Sequence, residues 1–241
     1  MIEGPFLEGG YWFWRDRRGD VEVRFTGRGP AGERDEILAR IEPGAPPVAW
    51  AKQIHSATVL PAHPGHCGEG DALFGDASDL ALSVVTADCV PVLLAGPNGL
   101  AAVHAGWRGL VGGVIPATLE KLGGADVAWI GPTIGPCCYE VGEEVAEQFP
   151  AEAVVPGPAG KPHLDLIVAA RLQLKGVEDV RTVGICTRCE ADRLYSYRRE
   201  GKGVGRNVAF IWRQSANPPS PVETPQSATT ALPGVQGRGV S

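Results

Sequence analysis

Four short, almost unbroken apolar runs constrain this chain most: Leu82–Thr86, Val90–Ala95, Leu100–His104 and Val127–Ile130. Each is followed by turn-forming text, and such runs suit strands covered on both faces. Periodicity alone leaves a buried helix open. Strands also fit Val48–Gln53, Val180–Ile185 and Val208–Trp212. Residues 11–26, YWFWRDRRGDVEVRFT, alternate as a hairpin turning at Arg17–Asp20. Helices are expected after Gly29-Pro30, with Ile37, Leu38 and Ile41 on one face, and over Leu110–Leu122, Val141–Phe149 and Leu164–Leu174. Asp165 suits the start of the last. Gly 33 and Pro 21 make long helices improbable. With no regular βαβ rhythm, the fold class is α/β (α+β), a layered domain over residues 1–213. The Pro/Ser/Thr/Gly-rich stretch 214–241 has too little apolar surface to order itself and is expected to be a disordered tail.

Charge and hydropathy narrow the function. Lys+Arg 22 against Asp+Glu 28 gives a formal charge of −6, which argues against a nucleic-acid partner. No apolar run is long enough to span a bilayer, so no membrane partner is expected. The N-terminal text lacks the pattern of a secretory signal, and the expected compartment is the cytoplasm. There the six cysteines, at 67, 89, 137, 138, 186 and 189, would be thiols and not a disulfide framework.

Three segments place a metal-type or nucleophilic side chain beside a turn: KQIH ending at His55, TADC ending at Cys89, and HAGWRG beginning at His104. Two imidazoles and a thiolate leave a fourth tetrahedral position open, the pattern of a catalytic zinc site. The separations of 34 and 15 residues match no local metal motif, so buried structural roles compete. Cys137-Cys138 reads as a packed turn, since adjacent cysteines do not readily ligate one metal. Cys186-Thr-Arg-Cys189 has the C-x-x-C form without a second pair at similar spacing. His63, His66 and Cys67 read as incidental loop residues. Asp88 precedes Cys89, so on a strand it would point to the opposite face; it could orient a ligand only if the chain turns there, and a capping or turn role fits equally.

KQIH, TADCVPVLL, HAGWRG, IGPCCYEVG, CTRC and SYRREGKGVGR, in this order, closely resemble one family, the bacterial laccase-domain or multicopper polyphenol oxidase family, also called the purine nucleoside phosphorylase family. The resemblance runs from about Val48 to Trp212. It implies a single layered α/β/β/α domain with mixed sheets, and zinc held by His55, Cys89 and His104 as the catalytic centre. It implies phosphorolysis of adenosine, inosine, guanosine and S-methyl-5'-thioadenosine, with adenosine deamination besides. The partners would be small-molecule nucleosides and phosphate; the sequence is silent on oligomeric state. Arg108, Arg198 and Arg206 lie inside matched motifs and offer guanidinium forks to phosphate. Arg28 stands nearest the family's N-terminal Arg motif, although the second Gly and the Val-Ser of that motif are missing here.

Two other chemistries compete. A copper-dependent polyphenol oxidase would need a blue-copper centre plus a trinuclear cluster. Five histidines in all, at 55, 63, 66, 104 and 163, are too few for the usual arrangement. Copper could still replace zinc, because it binds such donors more tightly. A Cys–His hydrolase acting on peptidoglycan precursors would use Cys89 as nucleophile, a role that competes with binding zinc.

Overall fold

The computed structural model describes residues 1–214, so the tail expected beyond Gln214 lies outside the described residues. Among the described residues the strands are β1 (Glu3–Glu8), β2 (Tyr11–Arg18), β3 (Val21–Thr26), β4 (Val48–Lys52), β5 (Val59–Pro61), β6 (Gly65–Glu69), β7 (Ala72–Gly75), β8 (Ala81–Thr86), β9 (Val90–Gly96), β10 (Gly99–Ala105), β11 (Val127–Ile130), β12 (Val154–Pro156), β13 (Pro162–Leu164), β14 (Asp179–Thr182) and β15 (Asn207–Arg213). The helices are α1 (Arg34–Ile41), α2 (Trp107–Val111), α3 (Val114–Leu122), α4 (Glu143–Ala146), α5 (Leu166–Gln173) and α6 (Tyr197–Glu200).

Two mixed sheets stack face to face. One has the order β1-β2-β3-β15-β8-β4-β6 and the other β14-β11-β9-β10-β7-β5, while β12 and β13 form a small ribbon. Val23, Phe25, Leu82 and Ile211 from the first sheet meet Leu93, Leu100 and Trp129 from the second in a dry layer. The outer face of the second sheet, through Val92, Leu94 and Val103, packs on Leu110, Ile115 and Leu166 of α2, α3 and α5. The outer face of the first sheet, through Phe13, Val48 and Phe210, is covered by Ile37, Leu38 and Ile41 of α1. The layers are therefore α/β/β/α. This explains the apolar runs: β9 and β10 are buried at every position because both faces are covered.

Several elements differ from the sequence reading. The helix expected over Leu110–Leu122 is two helices meeting at Gly112-Gly113, where Gly113 takes a φ of +78°. The one expected over Val141–Phe149 shrinks to Glu143–Ala146, because the Val141 N–H is drawn to the Pro162 carbonyl beside the β12–β13 ribbon. Helix α1 starts at Arg34 and not at Pro30, fixed by a capping box between Glu33 and Glu36. Asp165 caps α5, accepting from the N–H groups of Ile167 and Val168. Strand β14 stops at Thr182, with left-handed Gly184 just beyond. The strands β1, β5, β6, β7, β12 and β13 lack an apolar run long enough to read as a strand, and most lie at sheet edges or in the ribbon.

Candidate active site and metal centre

Strands β4 and β8 run parallel and adjacent, so the loops after them emerge side by side at one end of the first sheet. The first loop carries His55 and the second Cys89. The second sheet contributes His104 from near the end of β10. The site thus sits at the seam between the sheets. The KQIH glutamine ties this end together: Gln53 Nε2 donates to the Val85 carbonyl at 2.7 Å, and Gln53 Oε1 accepts from the Val85 N–H at 2.8 Å.

The three side chains converge. His55 Nε2 lies 3.9 Å from Cys89 Sγ, and the two imidazoles meet edge to face with centroids 4.9 Å apart. One ligand atom from each residue falls within 4.8 Å of the others. A tetrahedral zinc with N and S ligands at about 2.1 and 2.3 Å holds them roughly 3.6 Å apart, so this donor set fits such an ion. The backbone is strained on both sides of the site: His55 has a φ of +60° and Asp88 one of +98°. Asp88 turns the chain, as its turn role predicts. Its Oδ1 accepts from Thr187 Oγ1 at 2.6 Å and its Oδ2 from the Arg198 N–H at 2.7 Å.

Asp71, which no motif singled out, organises the site from beneath. It is 1% exposed. Its Oδ1 accepts from His104 Nδ1 at 2.8 Å and the His55 N–H at 2.9 Å. Its Oδ2 accepts from the Ser56 N–H at 2.6 Å, Ser56 Oγ at 2.8 Å and the Ile54 N–H at 3.3 Å. Burial works against its charge, yet these bonds, His104 foremost, hold the carboxyl down to about 2. Engaging Nδ1 of His104 leaves Nε2 for the centre, the carboxylate–histidine pairing that fixes a ligand's tautomer. Burial also opposes protonation of His104, but Asp71 and then Cys89 raise its pKa to about 9. Burial would raise the Cys89 thiol; the hydrogen bonds to His104 and His55 outweigh it and bring the thiol down to about 6. An Asp before the apolar strand β7 reads as ordinary turn text, which is why sequence reasoning missed it.

Above this floor opens a cleft of about 840 Å³, lined by Trp50, His66, Tyr139, Tyr197, Arg198 and Arg206 among others. That volume suits a small polar-aromatic ligand. His66 is not in a loop: it lies on β6 opposite Trp50 of β4, with ring centroids 4.5 Å apart. Its neighbour Cys67 turns toward the inter-sheet core. Burial pushes the Tyr139 phenol up to about 12, so it stays a hydrogen-bond donor.

The predicted arginines part company. Arg198 and Arg206 line the cleft, Arg198 stacked on Tyr139 at 5.2 Å. Arg108 is exposed and stacked on Trp107 at 4.3 Å, outside the cleft lining. Arg28 corrects the expectation for the N-terminal motif. It donates to Ala191 O and Glu200 Oε1 and stacks on Tyr195 at 4.6 Å, so it braces the wall and does not line the cleft. Arg34, unmarked by any motif, does line it. Its guanidinium lies over Trp50 at 4.8 Å, and its buried Nε has no partner among the described residues.

Comparison with known proteins agrees with this layout. A family model described as multi-copper polyphenol oxidoreductase laccase matches residues 31–214. The chain belongs to this family. A Pseudomonas aeruginosa relative named purine nucleoside phosphorylase is 39% identical over 180 residues, 69% of this chain and 74% of the relative. One from Deinococcus radiodurans with the same name is 39% identical over 194 residues, 75% of this chain and 76% of that protein. The crystal structure of a Neisseria meningitidis protein overlays with a TM-score of 0.72 at 31% identity, covering 86% of this chain and all of the other. Relatives so named support an enzyme for this member of the family. Among its described residues no helix is long and apolar enough to cross a membrane.

Gly106 shows how little room the centre has. A Cβ there would stand 2.9 Å from His55 Cδ2 and 3.1 Å from Cys89 Sγ. Its φ of −71° is open to any residue, so space alone demands glycine. Gly106→Ala is expected to displace the His55 ring and weaken metal binding about tenfold or more, with little loss of thermal stability. Zinc titration alongside a melting curve checks this; unchanged affinity would place the metal elsewhere.

Proposed function

We propose that this protein is a zinc-dependent purine nucleoside phosphorylase acting on adenosine, inosine, guanosine and S-methyl-5'-thioadenosine, with adenosine deamination as a slower or parallel reaction. The observation that carries the reading is the joining of two features in one cleft. His55, Cys89 and His104 form an open three-donor floor, and Arg34, Arg198 and Arg206 stand on its walls beside aromatic rings.

Phosphorolysis needs an anion held against C1′ of the ribose, so that a phosphate oxygen forms the new bond as the base departs. Arg34 lines the cleft over Trp50, while Arg198 and Arg206 spend only part of their donors on backbone carbonyls. Trp50, His66, Tyr139 and Tyr197 offer flat faces to a purine and hydroxyl or ring donors to a ribose. An ion held by His55, Cys89 and His104 would supply Lewis acidity at the floor of the cleft. Asp71 keeps His104 in place with Nε2 facing the centre. Copper suits the same donors, which makes a metal-substituted oxidase a side activity to test.

One observation favours a second reading. Cys89, His104 and Asp71 also form a thiol–imidazole–carboxylate chain, the arrangement of a cysteine hydrolase. Metal content discriminates, because a thiolate bound to zinc is unavailable as a nucleophile.

The test is adenosine or inosine with and without phosphate, following free base and ribose 1-phosphate. Base release that requires phosphate and yields ribose 1-phosphate is expected; release insensitive to phosphate would point to hydrolysis. Alanine at Arg34, Arg198 or Arg206 is expected to raise the KM for phosphate by about tenfold, one charge-assisted hydrogen bond, while slowing deamination less. Arg108→Ala, outside the cleft lining, is expected to do less than any of these.

A further inference from the structure

A second cluster lies away from the histidines. Cys137 and Cys138 sit on the turn after Gly135-Pro136, and Cys186 and Cys189 on the loop after β14. All four sulfurs lie within 4.8 Å of one another. We propose that these thiolates bind a structural zinc ion that fastens the two loops together. The proposal does not rest on the activity argued above.

Adjacency does not keep Cys137 and Cys138 from sharing one ion in this fold. Adjacent cysteines diverge on a strand, but Pro136–Cys138 is a tight turn. The N–H groups of Cys138 and Tyr139 both reach the Gly135 carbonyl, at 2.9 and 3.0 Å. On such a coil, consecutive side chains need not face opposite ways, and both sulfurs reach Cys189: Cys138 Sγ at 3.5 Å and Cys137 Sγ at 3.7 Å. A tetrahedral tetrathiolate with Zn–S of about 2.3 Å has S···S edges of roughly 3.8 Å. A disulfide needs about 2.05 Å. Cys189 is close to two partners at once, which one disulfide cannot satisfy and one central ion can.

The surroundings fit thiolate ligands. The Gly135 N–H donates to Cys186 Sγ at 3.2 Å, and a Cβ at Gly135 would stand 3.3 Å from Cys186 Cβ and 3.4 Å from Cys137 Sγ. The C-x-x-C loop is held by the Glu190 N–H on the Cys186 carbonyl and by Arg199 Nη1 on the carbonyls of Thr187 and Arg188. What the ion would secure is also visible. Tyr139, next to Cys138, lines the cleft. Thr187, between the two cysteines of the loop, donates to Asp88 beside Cys89. Four donors close the coordination sphere and leave no open position, the mark of a structural site.

The test uses the full chain with His55→Ala and Cys89→Ala, purified with its thiols reduced and titrated with zinc alone. One zinc per chain is expected by native mass spectrometry and elemental analysis. Exchange for cobalt should give the visible bands of a tetrahedral tetrathiolate. Adding Cys189→Ser, which leaves three thiolates, should weaken this zinc by about a hundredfold or more and abolish the tetrathiolate bands of the cobalt form. Because that variant could fail to fold, the unsubstituted chain supplies a second reading: saturating zinc should shield these four cysteines from alkylation. No zinc bound by the folded double variant, or rapid alkylation of all four cysteines at saturating zinc, would overturn the proposal. So would an intact mass showing these cysteines paired as disulfides after reductive purification.

Discussion

His104→Ala is expected to empty the His55–Cys89–His104 centre and cut phosphorolysis by about a thousandfold or more. The size follows from the chemistry. A metal's Lewis acidity supplies several kcal/mol of charge stabilisation, and each 1.36 kcal/mol is a tenfold change in rate. Two remaining donors, His55 and Cys89, would hold zinc far more weakly than three. The backbone should survive, because Asp71 keeps its bonds to the N–H groups of His55 and Ser56. Zinc at the sulfur cluster should stay. Metal analysis and a phosphorolysis assay on the folded variant check this together. Full phosphorolysis by this variant without zinc at the centre would overturn the metal reading, and with it the hydrolase reading, which needs His104 as the imidazole of the Cys89–His104–Asp71 chain.

How far the sequence could be read follows from where each signal is generated. The apolar runs of β8 to β11 are legible because covering both faces of a sheet leaves a local imprint on every residue. The hairpin of β2 and β3 and the apolar face of α1 carry their own periods. Strands such as β5 and β6 owe their existence to a neighbour's unpaired edge, and nothing local in Gly65–Glu69 announces a strand. The three donors at 55, 89 and 104 sit in motifs with strong resemblance, whereas Arg34 and Asp71 act through tertiary position alone. Arg34 reaches the cleft because α1 packs against the first sheet next to Trp50. Arg28 shows the converse: a fragment of a motif without the fold position to use it. The sulfur cluster was hidden because its cysteines come from two loops about fifty residues apart, and the spacing rules for metal sites are local.

Asp71 should prove the most consequential residue outside the donor set. Replacing it with asparagine keeps the size but removes the charge and turns an N–H group toward a ring of donors. The cost in folding free energy is expected to be about 3 kcal/mol, the order found when one partner of a buried charged pair is removed. Zinc affinity should fall by about 10–100-fold, since the residue orients a ligand's imidazole. The pH dependence separates this from general damage. In the metal-free protein the Asp71 carboxyl titrates at about 2, below its ordinary value, so its stabilisation is present above about 4 and lost as pH falls toward 2. His104 titrates at about 9, above its ordinary value, so its contribution is full below about 6.5 and lost as pH rises through 9. Zinc must displace the His104 proton, and its affinity for this centre should therefore climb with pH up to about 9. In Asp71→Asn the imidazole loses its main support, and that climb should level off at least one pH unit lower. Urea melts of the metal-free chains at pH 5 and pH 8, with zinc titrations across the range in a Cys189→Ser background, read both effects. A variant that loses stability but keeps the wild-type pH profile of zinc binding would show that Asp71 supports the loop and not the ligand.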